Sequence, residues 1–251
     1  MSLRTSSLAV AAFVATTSIA WAASPAPSIP LDPTDRSSVL AHLRTSPPLA
    51  LHKGEYADAV VRAHRIVQEF AREHGWTRQT SVRTFDSAEI FADQAALWRR
   101  ILELNKLPLN QPLPTKGLAA GIEGRVLVAL DPRGYARVAP EYAREPNSWV
   151  RLLAHEMVHR LHVVILNGNE DAMGPQWFFE GFAVLGAGQT IDEGLTYRSD
   201  REAFDGVRDA KSPLLYRRFV AAVRYFSGRV PLAELVEKAG SKDFEGWLAG
   251  K

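Results

Sequence analysis

One stretch of this 251-residue chain has residue types at a spacing that chemistry uses: His155-Glu156-Met157-Val158-His159. On a helix, residues four apart project from the same face, so the two imidazoles converge and can hold one metal ion through neutral nitrogens. Glu156 points about 100° away from His155. From there it does not share the metal, but it reaches a water on the metal and can take its proton. Asn147 and Ser148 are suited to cap the helix, whose body from Trp149 to Leu166 is apolar on nearly every face. Two imidazoles and a carboxylate are costly to bury there without a partner, and a metal ion supplies one.

A catalytic zinc takes three protein ligands and keeps a fourth position open. All seven histidines lie at or before His162, so none is available downstream. A third histidine in the H-E-x-x-H-x-x-G-x-x-H manner is excluded, because His162 stands in place of the glycine and Ile165 in place of the last histidine. The third ligand is therefore expected to be a carboxylate on a following element. Glu180 is the best placed. It is one of few charges in Pro175 to Ala183, a second strongly apolar helix, and a charge there needs a counterion. Glu170 and Asp171, on the segment between the two helices, either orient the histidines or belong to a solvated loop. His162 reads as a packing or supporting residue more than a ligand.

His155-Glu156-x-x-His159 followed by Trp177-x-x-Glu180-Gly181-x-Ala183 resembles the gluzincin zinc metallopeptidases, the thermolysin- and aminopeptidase-like superfamily of peptidase clan MA. The resemblance runs from about Asn147 to Ala187. It implies zinc held by His155, His159 and Glu180, with Glu156 as general base. It also implies a zincin-like fold and an oxyanion-stabilising Tyr or His on a helix after the ligand Glu. No His remains there, so Tyr197, Tyr216 and Tyr225 are the candidates, and Tyr216 resembles the family's placement best. In those enzymes an edge strand ahead of the zinc helix aligns the substrate. Arg125 to Leu130 precedes the helix here, as such an edge strand or as an internal one. The sequence departs from the family in three places. It has no Gly-x-Met-Glu-Asn element to hold a free amine. Phe179 stands where Asn often precedes the ligand Glu, and no Asp follows four residues after Glu180.

The elements that must position these residues follow from apolar spacing. Tyr56 to His74 has helical periodicity and Gly75 supplies a stop. Thr80 to Phe85 alternates like a strand, a helix follows from about Ser87 to Leu104, and Asn105 to Lys116 is a Pro-bearing loop. Gly117 to Leu130 reads as a β-hairpin turning at Glu123-Gly124, ended by Asp131 to Gly134. The remainder is helical, at roughly 148–166, 176–188, 199–210, 213–227 and 231–248. The order predicts an α+β fold: a small mixed sheet with an edge hairpin packed on the active-site helix, then a mainly helical C-terminal part. A single catalytic domain is expected over 36–251, mixed up to 146 and helical from 147.

Arg4, the apolar run Leu8 to Ala20, and small residues at Ala20 and Ala22 predict a signal peptide over 1–22, cleaved after Ala22. The protein is expected to be periplasmic or secreted, with no stable membrane anchor after cleavage and a flexible mature N-terminus over 23–35. Cysteine is absent, which excludes disulfides, a thiol nucleophile and thiolate metal ligands. A net charge of +2 from scattered basic residues gives no reason to expect nucleic acid as a partner. The expected activity is zinc-dependent hydrolysis of a peptide or protein substrate. The alternatives are a zinc- or peptide-binding envelope protein of the same fold with little turnover, and a metal-free helical protein whose motif is fortuitous.

Overall fold

Asp35 begins the first helix, its carboxylate accepting from the N–H groups of Ser37 and Ser38, and α1 (Arg36–His42) leads directly into β1 (Leu43–Thr45). The computed structural model describes residues 29–114, 117–189, 194–208 and 215–251. The expected signal peptide lies outside them. Of the N-terminal segment expected over 23–35, the described residues before α1 lie against the fold. Leu31 is buried in the core, the Asp32 N–H donates to Ser38, and the Ile29 carbonyl lies 2.9 Å from Nε2 of His42.

A short 3-10 helix (Pro47–His52) precedes α2 (Lys53–Glu73), which realises the helix expected over Tyr56 to His74. The next element corrects the sequence reading. Thr77–Ser81 is a 3-10 helix, the strand β2 is Ser87–Phe91, and α3 starts only at Gln94, capped by Asp93. The charge inside Ser-Ala-Glu-Ile-Phe hides the strand. Glu89 is fully buried in it because Arg100 of α3 donates to both its carboxylate oxygens, at 2.8 and 3.1 Å. That pairing is tertiary and leaves no local signature.

The expected hairpin forms, with β3 (Ala120–Glu123) antiparallel to β4 (Val126–Leu130), but it turns at Gly124-Arg125, one residue later than the expected Glu123-Gly124. Both turn residues have positive φ, 51° at Gly124 and 65° at Arg125, as a two-residue hairpin turn of the right twist requires. Arg125 tolerates this while its guanidinium donates to Asp86 at 2.8 and 2.9 Å. The sheet order is β1-β2-β4-β3, with β1–β2 and β2–β4 parallel. The strand expected over Arg125 to Leu130 is thus internal, and β3 is the edge.

Asp131 ends β4 and caps α4 (Pro132–Val138). The helical part comprises α5 (Ser148–Ile165), α6 (Gln176–Gly186), α7 (Asp200–Arg208), α8 (Leu215–Ser227), α9 (Leu232–Lys238) and α10 (Phe244–Ala249). The single helix expected over 231–248 is split into α9 and α10, and between them Gly240 lies so close to Ala172 that a Cβ would come within 2.7 Å of its Cα. One face of the sheet (Ala88, Ile90, Leu127, Ala129) joins the main core with α2, α5, α6 and α8. The other face (Phe91, Val128, Leu130) packs on Leu97 and Ile101 of α3. The fold is therefore α+β with a four-stranded mixed sheet and a mainly helical C-terminal part. Among the described residues no helix is long and apolar enough to cross a membrane.

Candidate metal centre

The helix α5 lies in the middle of the main core, packed on α2, α6 and β3. The indole N–H of Trp149 donates to the Leu130 carbonyl at 2.7 Å, tying the start of α5 to the end of β4. Asn147 occupies the position before the helix but makes no side-chain cap. It adopts φ 66°, and its side-chain oxygen accepts from Arg62 of α2. The helix is thus fixed at its entry by bonds to the sheet and to α2.

Two turns in, His155 and His159 face α6. Their rings are nearly perpendicular, 85° apart, with Nε2 to Nε2 at 3.0 Å. Oε2 of Glu180 lies 3.2 Å from Nε2 of His155 and 3.4 Å from Nε2 of His159. Donors around a tetrahedral ion with bonds of 2.0–2.1 Å sit about 3.3–3.4 Å apart. The triangle has that size, and its donor set of two imidazoles and a carboxylate suits a transition metal better than calcium or magnesium. His155, His159 and Glu180 form the one such cluster among the described residues.

Glu180 reaches this corner because of the residue that follows it. A Cβ on Gly181 would lie 2.6 Å from the Phe219 carbonyl oxygen, so only glycine lets α6 and α8 approach so closely. Tyr216, one turn before Phe219 on α8, is thereby brought to the site. Its ring centroid is 6.0 Å from that of His155, and Glu180 is among the groups that act on its hydroxyl. Tyr197 and Tyr225 are not brought there: Tyr197 packs against Gly206, and the Tyr225 hydroxyl donates to Asp200.

The electrostatics are those of a charged, largely buried corner whose His159 and Glu180 keep part of their surface exposed. Burial pushes Glu180 upward, but hydrogen bonds from His155 and His159 outweigh it and hold the carboxyl well below its usual range. For His155, burial favours the neutral ring, while the hydrogen bond to Glu180 and the charge of Glu156 reverse the balance and raise it. Burial raises Glu156; His155 and His159 oppose the rise, and the carboxylates of Glu180 and Glu123 add to it. Tyr216 is raised well above the phenol range by burial and by the charges of Glu180 and Glu156, so its hydroxyl keeps its proton.

Comparison with protein-family models, curated proteins and solved structures finds no match to this chain. The arrangement of its own side chains is what any functional reading rests on.

The sequence reading missed the residue behind His155. Nδ1 of His155 donates to Oε1 of Gln189 at 3.1 Å, and Gln189 is itself buried. Glu170 and Asp171, expected as possible orienting groups, are exposed in a 3-10 turn (Glu170–Ala172), where Glu170 pairs with Arg160. The solvated-loop alternative holds for both. The signal for Gln189 is slight: a Gly-Gln pair after an apolar helix. Gly188 at φ 61° ends α6, its N–H bonding the Leu185 carbonyl, and the next N–H, of Gln189, returns to Val184. This glycine-dependent closing turn swings the Gln189 side chain back over the site. His162 is fully buried against Phe182 and Phe178, with ring centroids 4.5 and 5.9 Å away, and has no hydrogen-bond partner among the described residues.

Proposed function

We propose that this protein is an exported zinc peptidase of gluzincin type, with zinc held by His155, His159 and Glu180. The observation that carries the reading is the triangle of ligand atoms at 3.0, 3.2 and 3.4 Å with a carboxylate, Glu156, adjacent to it on the same helix. Two Nε2 atoms facing each other and one carboxylate oxygen is an arrangement that a small cation satisfies. A purely structural site has no use for the extra carboxylate.

Bound zinc supplies Lewis acidity, polarising the scissile carbonyl and making water a stronger acid. The chain's own groups do the rest. Glu156, raised by burial, accepts a proton as water adds to the carbonyl carbon, and passes it to the nitrogen as the C–N bond breaks. The products are a carboxylic acid and an amine. Tyr216 keeps its proton and can donate it as a hydrogen bond to the oxygen on which negative charge develops. The edge strand β3 suits an extended peptide. Leu130 N–H bonds the Ala119 carbonyl, so by antiparallel alternation Ala120 and Ile122 direct their N–H and C=O groups away from β4. Main-chain pairing there gives affinity with little demand on sequence.

The test is Glu156→Gln, assayed on an unstructured protein such as casein. Hydrolysis is expected to fall by about 10²- to 10⁴-fold while one zinc per chain remains. Wild-type protein that carries zinc but cleaves nothing would favour a binding protein with this site. Equal activity in the variant would remove Glu156 from the mechanism.

A further inference from the structure

Resting on the zinc reading, we propose that Gln189 sets how tightly the centre holds its metal, by giving the back of the His155 ring a neutral hydrogen-bond partner. The Gln189 amide oxygen, 3.1 Å from Nδ1, requires a proton on Nδ1, so Nε2, which faces Glu180 and His159, is the nitrogen that gives its lone pair to a metal. Such a partner fixes tautomer and ring orientation, and it also tunes how strong a donor the opposite nitrogen is.

The identity of the partner matters. A carboxylate at this place would draw the Nδ1 proton strongly and enrich Nε2, binding the ion more firmly. An amide draws it less. Two carboxylates, Glu156 and Glu180, already act on this buried corner. A neutral third partner avoids adding another negative charge where desolvation is severe. The ion is held less tightly than a carboxylate would hold it, and it stays more electrophilic toward a carbonyl oxygen.

The position is rigidly delivered. Gln189 follows the closing turn of α6, and α6 also carries Glu180, so one helix presents one metal ligand and the support of another. Gly188, at φ 61°, is the residue on which this delivery depends.

The experiment compares wild type, Gln189→Leu and Gln189→Glu, stripped of metal, in a Zn²⁺ competition against a chromophoric chelator. Gln189→Leu is expected to weaken zinc binding by about 10- to 100-fold, and Gln189→Glu to tighten it about tenfold over wild type. A slowly exchanging His155 Nδ1–H signal in the nitrogen-correlated NMR spectrum of wild type should vanish in Gln189→Leu and persist in Gln189→Glu. Should the leucine variant fail to fold, the comparison of wild type with Gln189→Glu decides alone. Equal zinc affinity across all three, in a wild type that binds zinc, overturns the role of Gln189 and leaves the zinc centre standing. A glutamate variant no tighter than wild type also overturns it. A wild type that takes up no zinc sinks the centre and this proposal together.

Discussion

His155 and His162 stand two turns apart on α5, and both are buried. His155 is surrounded by polar groups: Gln189 on one nitrogen, Glu180 and His159 on the other. His162 has neither nitrogen partnered among the described residues and lies against two phenylalanine rings. The same helix thus buries one imidazole in a polar, chargeable corner and another as though it were an aromatic hydrocarbon. Burial pushes both toward the neutral form. For His155 the neighbours reverse that push, and for His162 the charge of His159 reinforces it, taking the ring down to about 3. Burial alone therefore does not mark a functional histidine; the groups that converge on it do.

The sharpest way to break this contrast is to count zinc. Glu180→Ala removes the carboxylate on which both histidines converge, and bound zinc is expected to fall from about one per chain to nearly none after dialysis. His162→Leu removes an imidazole packed against Phe178 and Phe182 with no hydrogen-bond partner among the described residues, and zinc should stay at about one per chain. Elemental analysis of the two purified variants beside wild type reads both outcomes. Loss of zinc in His162→Leu would make that ring part of the site. Full retention in Glu180→Ala would move the third ligand elsewhere.

A smaller effect comes from acid. The folded pKa of His162, about 3, lies below the ordinary value of 6.5. Between these the unfolded chain binds a proton that the native state refuses, so native stability falls as pH drops below 6.5 and the loss is complete near 3. Above pH 6.5 the group contributes no slope. Each pH unit inside the window is worth up to about 1.4 kcal/mol. Urea melts at pH 7 and pH 5 should therefore separate by about 2 kcal/mol less in His162→Leu than in wild type. Equal pH slopes would mean that His162 finds a partner in solution, such as an enclosed water.

The parts of this molecule legible in the sequence are those written in local spacing. The helix pair α5 and α6 follows from apolar runs, and His155, His159 and Glu180 from the scarcity of polar residues inside them. The hairpin is equally local. Strand order is not: β4 pairs in parallel with β2 from across α3 and β3, and nothing in Val126–Leu130 distinguishes an internal strand from an edge. β2 was obscured by Glu89, whose partner Arg100 lies on the following helix. Gln189 was obscured because its role depends on how Gly188 closes α6 over α5 and not on its residue type. Where the physics is a charge or an amide matched by a group on another element, the sequence shows one half of the pair.

The mildest change expected is at the segment between the two helices. Glu170 reaches Arg160 across solvent, with 63% of its side chain exposed. Such a pair contributes at most about 1 kcal/mol, and salt screens it. It also lies on the outer surface, while the orienting bond to His155 comes from Gln189 inside. Glu170→Ala should therefore shift the urea midpoint slightly at low salt, and not at all near 1 M salt, with zinc affinity unchanged within twofold. A zinc affinity that fell tenfold would show that the turn at Glu170–Ala172 reaches the metal corner through α5, on which Arg160 stands beside His159. The buried and the surface carboxylates would then act as one network, and the contrast between a built corner and a solvated loop would fail.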